Sequence, residues 1–139
     1  MTEVDFTGLA NYDEILIIGT IAKDAAGAIF ARLSTDNGSS FVNGASAYTN
    51  FLEGGAAALD RSSIFIGNSD TNTYRFWFHF RGLKASGIST LFDGVCGIDS
   101  GNVFHSSGWA ASAATHNAIR IGMTANNITT GSSMQVYGR

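Results

Sequence analysis

The chain predicts an all-β protein, an antiparallel β-sandwich of jelly-roll-like type with about eight to ten short strands. Three observations carry this. Short runs alternate apolar and polar residues with a period of two, the spacing that sends successive strand side chains to opposite faces. Turn signals rich in Gly and Asn separate these runs, and the chain holds 17 glycines and no proline. No stretch has the apolar period of an amphipathic helix of ordinary length, and no long internal repeat is visible. A β-barrel is the second choice on the same pattern. Residues 1–139 are expected to form one domain, a length that can bury roughly 68% of its unfolded surface without staples.

The first strand is Glu14–Ile21 (EILIIGTI), a continuous apolar run that suits burial on both faces or a place at a sheet centre. Residues 28–33 (AIFARL) form the next, with Arg32 outward. Asp36, Asn37 and Gly38 make a turn, because Asn and Gly tolerate positive φ. Phe41 and Val42 begin a short strand that stops at Asn43 and Gly44. Residues 47–60 read as a long loop anchored by Phe51 and Leu52, since Gly54 and Gly55 interrupt any helix.

Residues 63–67 (SIFIG) are a short strand and residues 68–73 a polar turn. Tyr74–Arg81 (YRFWFHFR) then alternates strictly. Tyr74, Phe76, Phe78 and Phe80 share one face, which must be core, because each aromatic buries about 150–250 Å². Residues 89–95 and 102–105 are two further strands, and residues 109–115 a small-residue loop. At the C-terminal end Ile119, Ile121 and Met123 alternate with Arg120 and Gly122, and Met134 and Val136 with Ser133, Gln135 and Tyr137. These two runs are expected to be a hairpin or an adjacent pair, with Met134 and Val136 facing the core and Tyr137 facing away.

Charge is low: 14% of residues are charged and the formal net charge is −3, which leaves no basic footprint for nucleic acid or an anionic membrane. The acidic N-terminal segment lacks a basic region followed by an apolar one, so no signal peptide is expected. No apolar run approaches the ~20 residues of a membrane helix, and assembly in a cytoplasm without membrane insertion is the expectation. Cys96 is alone and reads as a buried thiol.

Catalytic motifs are absent from the pattern. His79, His105 and His116 lack the paired spacing of a zinc site, so no metal and no cofactor is expected. Asp93 and Asp99 read as turn-solvating residues ahead of a glycosidase pair. No nucleophile elbow, phosphate loop or dinucleotide fingerprint occurs. The outward set of the aromatic strand is Arg75, Trp77, His79 and Arg81, which combines a flat ring with planar donors. Such a face packs against a loop or a neighbouring subunit, or receives a sugar ring with hydroxyls held by the donors, or stands in solvent. Trp109, between Gly108 and Ala110, joins this contact set from an exposed loop.

Four segments carry a family resemblance: residues 12–18 (YDEILII), residues 33–41 (LSTDNGSSF), Ala118–Met123 (AIRIGM) and residues 131–138 (GSSMQVYG). In this order they resemble the opening strand, strand-turn segment, penultimate strand and closing strand of small β-sandwich domains in tailed-bacteriophage virion proteins. Those include head-fibre, tail-fibre and neck-associated proteins. The resemblance implies a non-enzymatic structural protein located in the virion, decorating capsid or tail. It also implies contact with other virion proteins, a homo-oligomer with a trimer favoured, and contact with host-surface polysaccharide in some members. It carries no catalytic residue set. No coiled-coil stem is visible, which favours a compact decoration or tip over a long fibre. A carbohydrate-binding module outside a virion is the alternative, and a small glycan-active enzyme the third choice.

Overall fold

Two antiparallel sheets pack face to face, as the alternation requires. The computed structural model describes residues 1–52, 58–99 and 101–139. Among these, eleven strands follow in order: β1 (Glu3–Phe6), β2 (Glu14–Ile21), β3 (Gly27–Ser34), β4 (Tyr48–Leu52), β5 (Ala58–Arg61), β6 (Ile64–Asp70), β7 (Tyr74–Arg81), β8 (Leu91–Ile98), β9 (Val103–Ala110), β10 (Ala118–Met123) and β11 (Ser133–Gly138). The smaller sheet has the order β1-β10-β3-β6 and the larger β11-β2-β7-β8-β9-β4-β5. Only β4–β5 and the meander β7–β8–β9 join neighbours within one sheet; the other connections cross between sheets. The expected antiparallel β-sandwich is what the chain forms.

Strand β7 has the bounds and facing that its alternation predicts. Tyr74, Phe76, Phe78 and Phe80 are buried, and Arg75, Trp77, His79 and Arg81 face outward. Phe78 lies under Gly94 on the paired strand, where a Cβ would stand 2.5 Å from the ring, so the phenyl occupies the space that a side chain would take. Facing this layer, Ile29, Leu33, Ile119 and Ile121 of the smaller sheet close the core. Cys96 is buried as expected, and burial pushes its thiol up to about 12.

Several expectations fail for definable reasons. Strands β10 and β11 are neither a hairpin nor neighbours: β10 lies between β1 and β3, and β11 pairs with β2 in the other sheet. Alternation marks a buried face, but two strands on opposite sides of one core bury the same face. The segment between them crosses the sandwich edge, tied by Ile128 N–H to Met1 O at 2.6 Å and Thr129 N–H to Ala22 O at 2.9 Å. Met134 and Val136 do turn toward the core, while Tyr137 is exposed.

Residues 47–60 are not one long loop, since β4 lies within them and β5 begins there; Gly54 and Gly55 fall outside the described residues. The core-facing side of β4 hides its alternation because it carries buried Asn50 beside Tyr48. The Asn50 amide donates to Ser63 O at 3.2 Å and accepts from Phe65 N–H at 3.0 Å, so a polar side chain bridges the sheets without an unpaired group. Phe41 and Val42 form no strand; Val42 is held by its N–H to Leu33 O at 2.9 Å. The preceding turn is as expected, with Asn37 at φ 57° and Gly38 at φ 91°.

Strand β2 buries one face only, with Ile15, Ile17 and Ile21 inside and Ile18 44% exposed. Trp109 lies in β9 and not on a loop: Ser106 and Gly108 imitate a turn in sequence, yet Ser106 is a buried, core-facing strand residue. The short edge strand β1 escaped recognition because only Val4 and Phe6 of its residues pack on the core.

Candidate functional site

The outer face of the larger sheet is built from the second side chain of each strand, and its register can be read across the strands. One row runs Gln135, Ile18, Trp77, Val95, His105. The next runs Tyr137, Leu16, His79, Asp93, Ser107, Phe51. The row after it runs Glu14, Arg81, Leu91, Trp109, Thr49. Arg75 stands at the opposite end, beside Gly97. The structure thus brings all five predicted contact residues, Arg75, Trp77, His79, Arg81 and Trp109, onto a single face.

Both tryptophans are 39% exposed. Trp109 is braced by Phe51, with ring centroids 5.4 Å apart and planes at 45°. Between β4 and β8 lies a shallow depression of about 300 Å³ that includes Phe51, Val95, His105 and Ser107 in its walls. Each arginine on the face is met by a carboxylate. Arg81 Nη2 lies 2.6 Å from Asp93 Oδ1, and Arg75 pairs with Asp99. Glu14 Oε2 is 2.7 Å from Arg139 Nη2 and 3.3 Å from His79 Nε2. The hydrogen bond from Arg139 holds the Glu14 carboxyl below its ordinary range.

These pairs revise the reading of the acids. Asp93 is a mid-strand residue, not a turn residue. The extended chain from Asp93 to Ile98 alone spans about 17 Å, and the two aspartates are committed to separate arginines. A glycosidase pair needs its carboxyls within about 10 Å, so Asp93 and Asp99 are not one. The histidines are dispersed as well: His79 and His105 face outward on β7 and β9, and His116 is buried beside Thr90, its Nδ1 2.8 Å from Thr90 Oγ1. Among the described residues no group of three His, Cys, Asp or Glu could hold a metal ion.

Sequence reasoning missed Phe51, Asp93, His105 and Ser107 as members of this face. Asp93 and His105 fall in the strands expected at residues 89–95 and 102–105 but are assigned no face there, whereas Phe51 and Ser107 lie in β4 and in the part of β9 where inward Asn50 and Ser106 mask the alternation. The contact of Phe51 with Trp109 depends on the β4–β9 register.

No protein-family model matches the chain, and no curated protein matches it. Among solved structures it is similar to a congerin II double mutant, at 8% identity, covering 97% of this chain and 99% of that one, with a TM-score of 0.43. It is similar to the Caenorhabditis elegans galectin LEC-6, at 12% identity over 98% of this chain and 87% of that one, with a TM-score of 0.38. A sucrose-6-phosphate hydrolase from Lactobacillus gasseri shares 13% identity over 89% of this chain and 28% of that one, with a TM-score of 0.31. Identities and TM-scores this low assign no ligand and no chemistry to this chain.

Proposed function

We propose that the chain is a non-enzymatic carbohydrate-binding β-sandwich that receives glycan on the outer face of its larger sheet. The observation that carries this is the pair of half-bare indoles, Trp77 on β7 and Trp109 on β9, fixed on one solvent-facing sheet with β8 between them. An indole has an electron-rich face and an apolar body, which suits the C–H-lined face of a sugar ring. Around it, Asp93, Ser107, His105 and the remaining N–H groups of Arg81 offer acceptors and donors to hydroxyls. A few polar groups orient the ring while the aromatic surface supplies the contact area.

The test is a glycan array probed with the wild-type chain and with Trp77→Ala and Trp109→Ala. Saturable binding that both variants lose, at unchanged circular dichroism, is the expected result. An array without a single saturable signal would sink the proposal.

A second reading is a phage structural protein, assembled into a virion as a homo-oligomer. It is supported by the sequence resemblance and by the apolar breadth of the same face, where Ile18, Leu91, Val103 and Tyr137 are exposed. Such a surface suits a flat protein partner. Light scattering at micromolar concentration and co-sedimentation with purified capsids or tails test it. A strict monomer that ignores both particles would remove it.

A further inference from the structure

We infer that the site takes a neutral, elongated oligosaccharide, one long enough to cover Trp77 and Trp109 together; this rests on the glycan-binding reading above. Two independent features of the sheet face lead there, its charge balance and the placement of its rings.

The charge on the face cancels locally. Arg75, Arg81 and Arg139 are engaged by Asp99, Asp93 and Glu14 respectively. Among the described residues of this face, each of these arginines already has a carboxylate beside it where a sulfate, a phosphate or a uronic carboxylate would approach. An anionic sugar would meet the repulsion of that neighbouring carboxylate at whichever guanidinium it approached. A neutral sugar meets fixed donors and acceptors without that cost. The ion pairs hold the planar donors of the arginines in place, so less side-chain freedom is lost when a hydroxyl docks.

The rings lie on a diagonal. Trp77 is on β7 opposite Val95, which is opposite His105 on β9; Trp109 lies four residues further along β9. Two inter-strand spacings and four residue rises put the two positions about 16 Å apart. That separation exceeds the width of a single sugar ring. The line between them passes over Asp93, with Ser107 and His79 on either side of it. The face therefore has an aromatic platform at each end and hydrogen-bonding groups at the middle, the order that a chain of linked rings would use. Trp77 and Trp109 act as two platforms for one ligand.

The experiment is calorimetric titration with neutral gluco-, galacto- and manno-oligosaccharides, each from monosaccharide to hexasaccharide, with sulfated and uronic oligosaccharides in parallel, at low and high salt. In the best neutral series, affinity should rise about tenfold or more between the monosaccharide and the length that reaches both rings. Binding should change less than about twofold with salt, because no net charge is neutralised. Trp109→Ala should flatten the length dependence, bringing the long oligomers down to the weak affinity of the monosaccharide. Asp93→Asn should release Arg81 and create salt-sensitive affinity for acidic oligosaccharides. Monosaccharide binding as tight as that of the hexasaccharide overturns the bridging geometry. Salt-sensitive preference of the wild-type chain for acidic sugars overturns the neutral assignment. Failure of every sugar, neutral and acidic, overturns the underlying glycan reading instead.

Discussion

The two outer faces of the sandwich use the same residue classes in opposite ways. On the smaller sheet, arginines lie over rings. Arg120 sits 4.1 Å from the Phe41 centroid while its guanidinium holds Asp5 at 2.7 and 2.8 Å and Glu3 at 2.8 Å. Arg32 lies 4.6 Å over Phe30, which is buried, and donates to Ser62 O at 3.2 Å. On the larger sheet, the arginines turn to carboxylates, and among the described residues no cation sits over Trp77 or Trp109. One face is closed by its own cations; the other presents bare rings. The contrast locates the site better than aromatic content does, since both faces are rich in rings.

A difference between a closed and an open face should appear in stability before it appears in binding. The largest effect belongs to the inside of the shared core. Phe78→Ala should cost about 3–5 kcal/mol in urea unfolding, because Phe78 is fully buried. Its chain neighbour Trp77→Ala, on the open face, should cost less than about 1 kcal/mol. Equal losses would erase the distinction between the inner and outer sides of β7.

The next effect compares the arginines. Arg120→Ala removes a lid from Phe41 and leaves Glu3 and Asp5 facing each other, so a loss of about 1–2 kcal/mol is expected. Arg75→Ala, whose side chain is mostly exposed in its pair with Asp99, should change the melting temperature by an amount near the error of the scan. An Arg75 variant as unstable as the Arg120 variant would show that the open face is closed in solution.

A pH series adds a control common to both faces. Burial holds the imidazole of His116 below its ordinary value, so the unfolded chain takes up the proton first. Stability should be level above about pH 7 and fall as pH drops below about 6.5. His116→Gln should flatten that portion of the curve. A further loss toward pH 2 is expected from Asp70: burial raises its pKa, but Tyr74 and Lys23 donate to it and bring it down to about 2. Being depressed, this group stabilises above the unfolded value near 4 and loses its contribution as pH falls toward 2. A wild-type curve that rises between pH 7 and 5 would contradict the neutral, buried His116.

The strongest local signals were the legible ones. The alternation of β7 fixed both its bounds and its facing, and the Asp36-Asn37-Gly38 turn followed from backbone preference alone. Arg75, Trp77, His79 and Arg81 of the candidate face are visible for the same reason, whereas Trp109, expected on a loop, lies in β9. Pairing was not visible, because β10 and β11 have the same period whether or not they touch. Asn50 and Ser106 broke the apolar count of β4 and β9, since a buried polar side chain looks like a turn residue until its surroundings are known. The arginine–carboxylate pairs that neutralise the face depend on cross-strand register, which no single strand encodes. The exposed contact of Phe51 with Trp109 is a register effect as well.

The most direct test of the open face uses the fact that the chain holds only two tryptophans. An ¹H–¹⁵N spectrum of the folded protein therefore shows two indole N–H signals, assigned by Trp77→Phe and Trp109→Phe. Titration with a neutral oligosaccharide that the array or calorimetry identifies as a ligand should move both signals along one saturation curve, while backbone amides of the smaller sheet stay in place. Binding that leaves both indole signals unmoved would contradict the account.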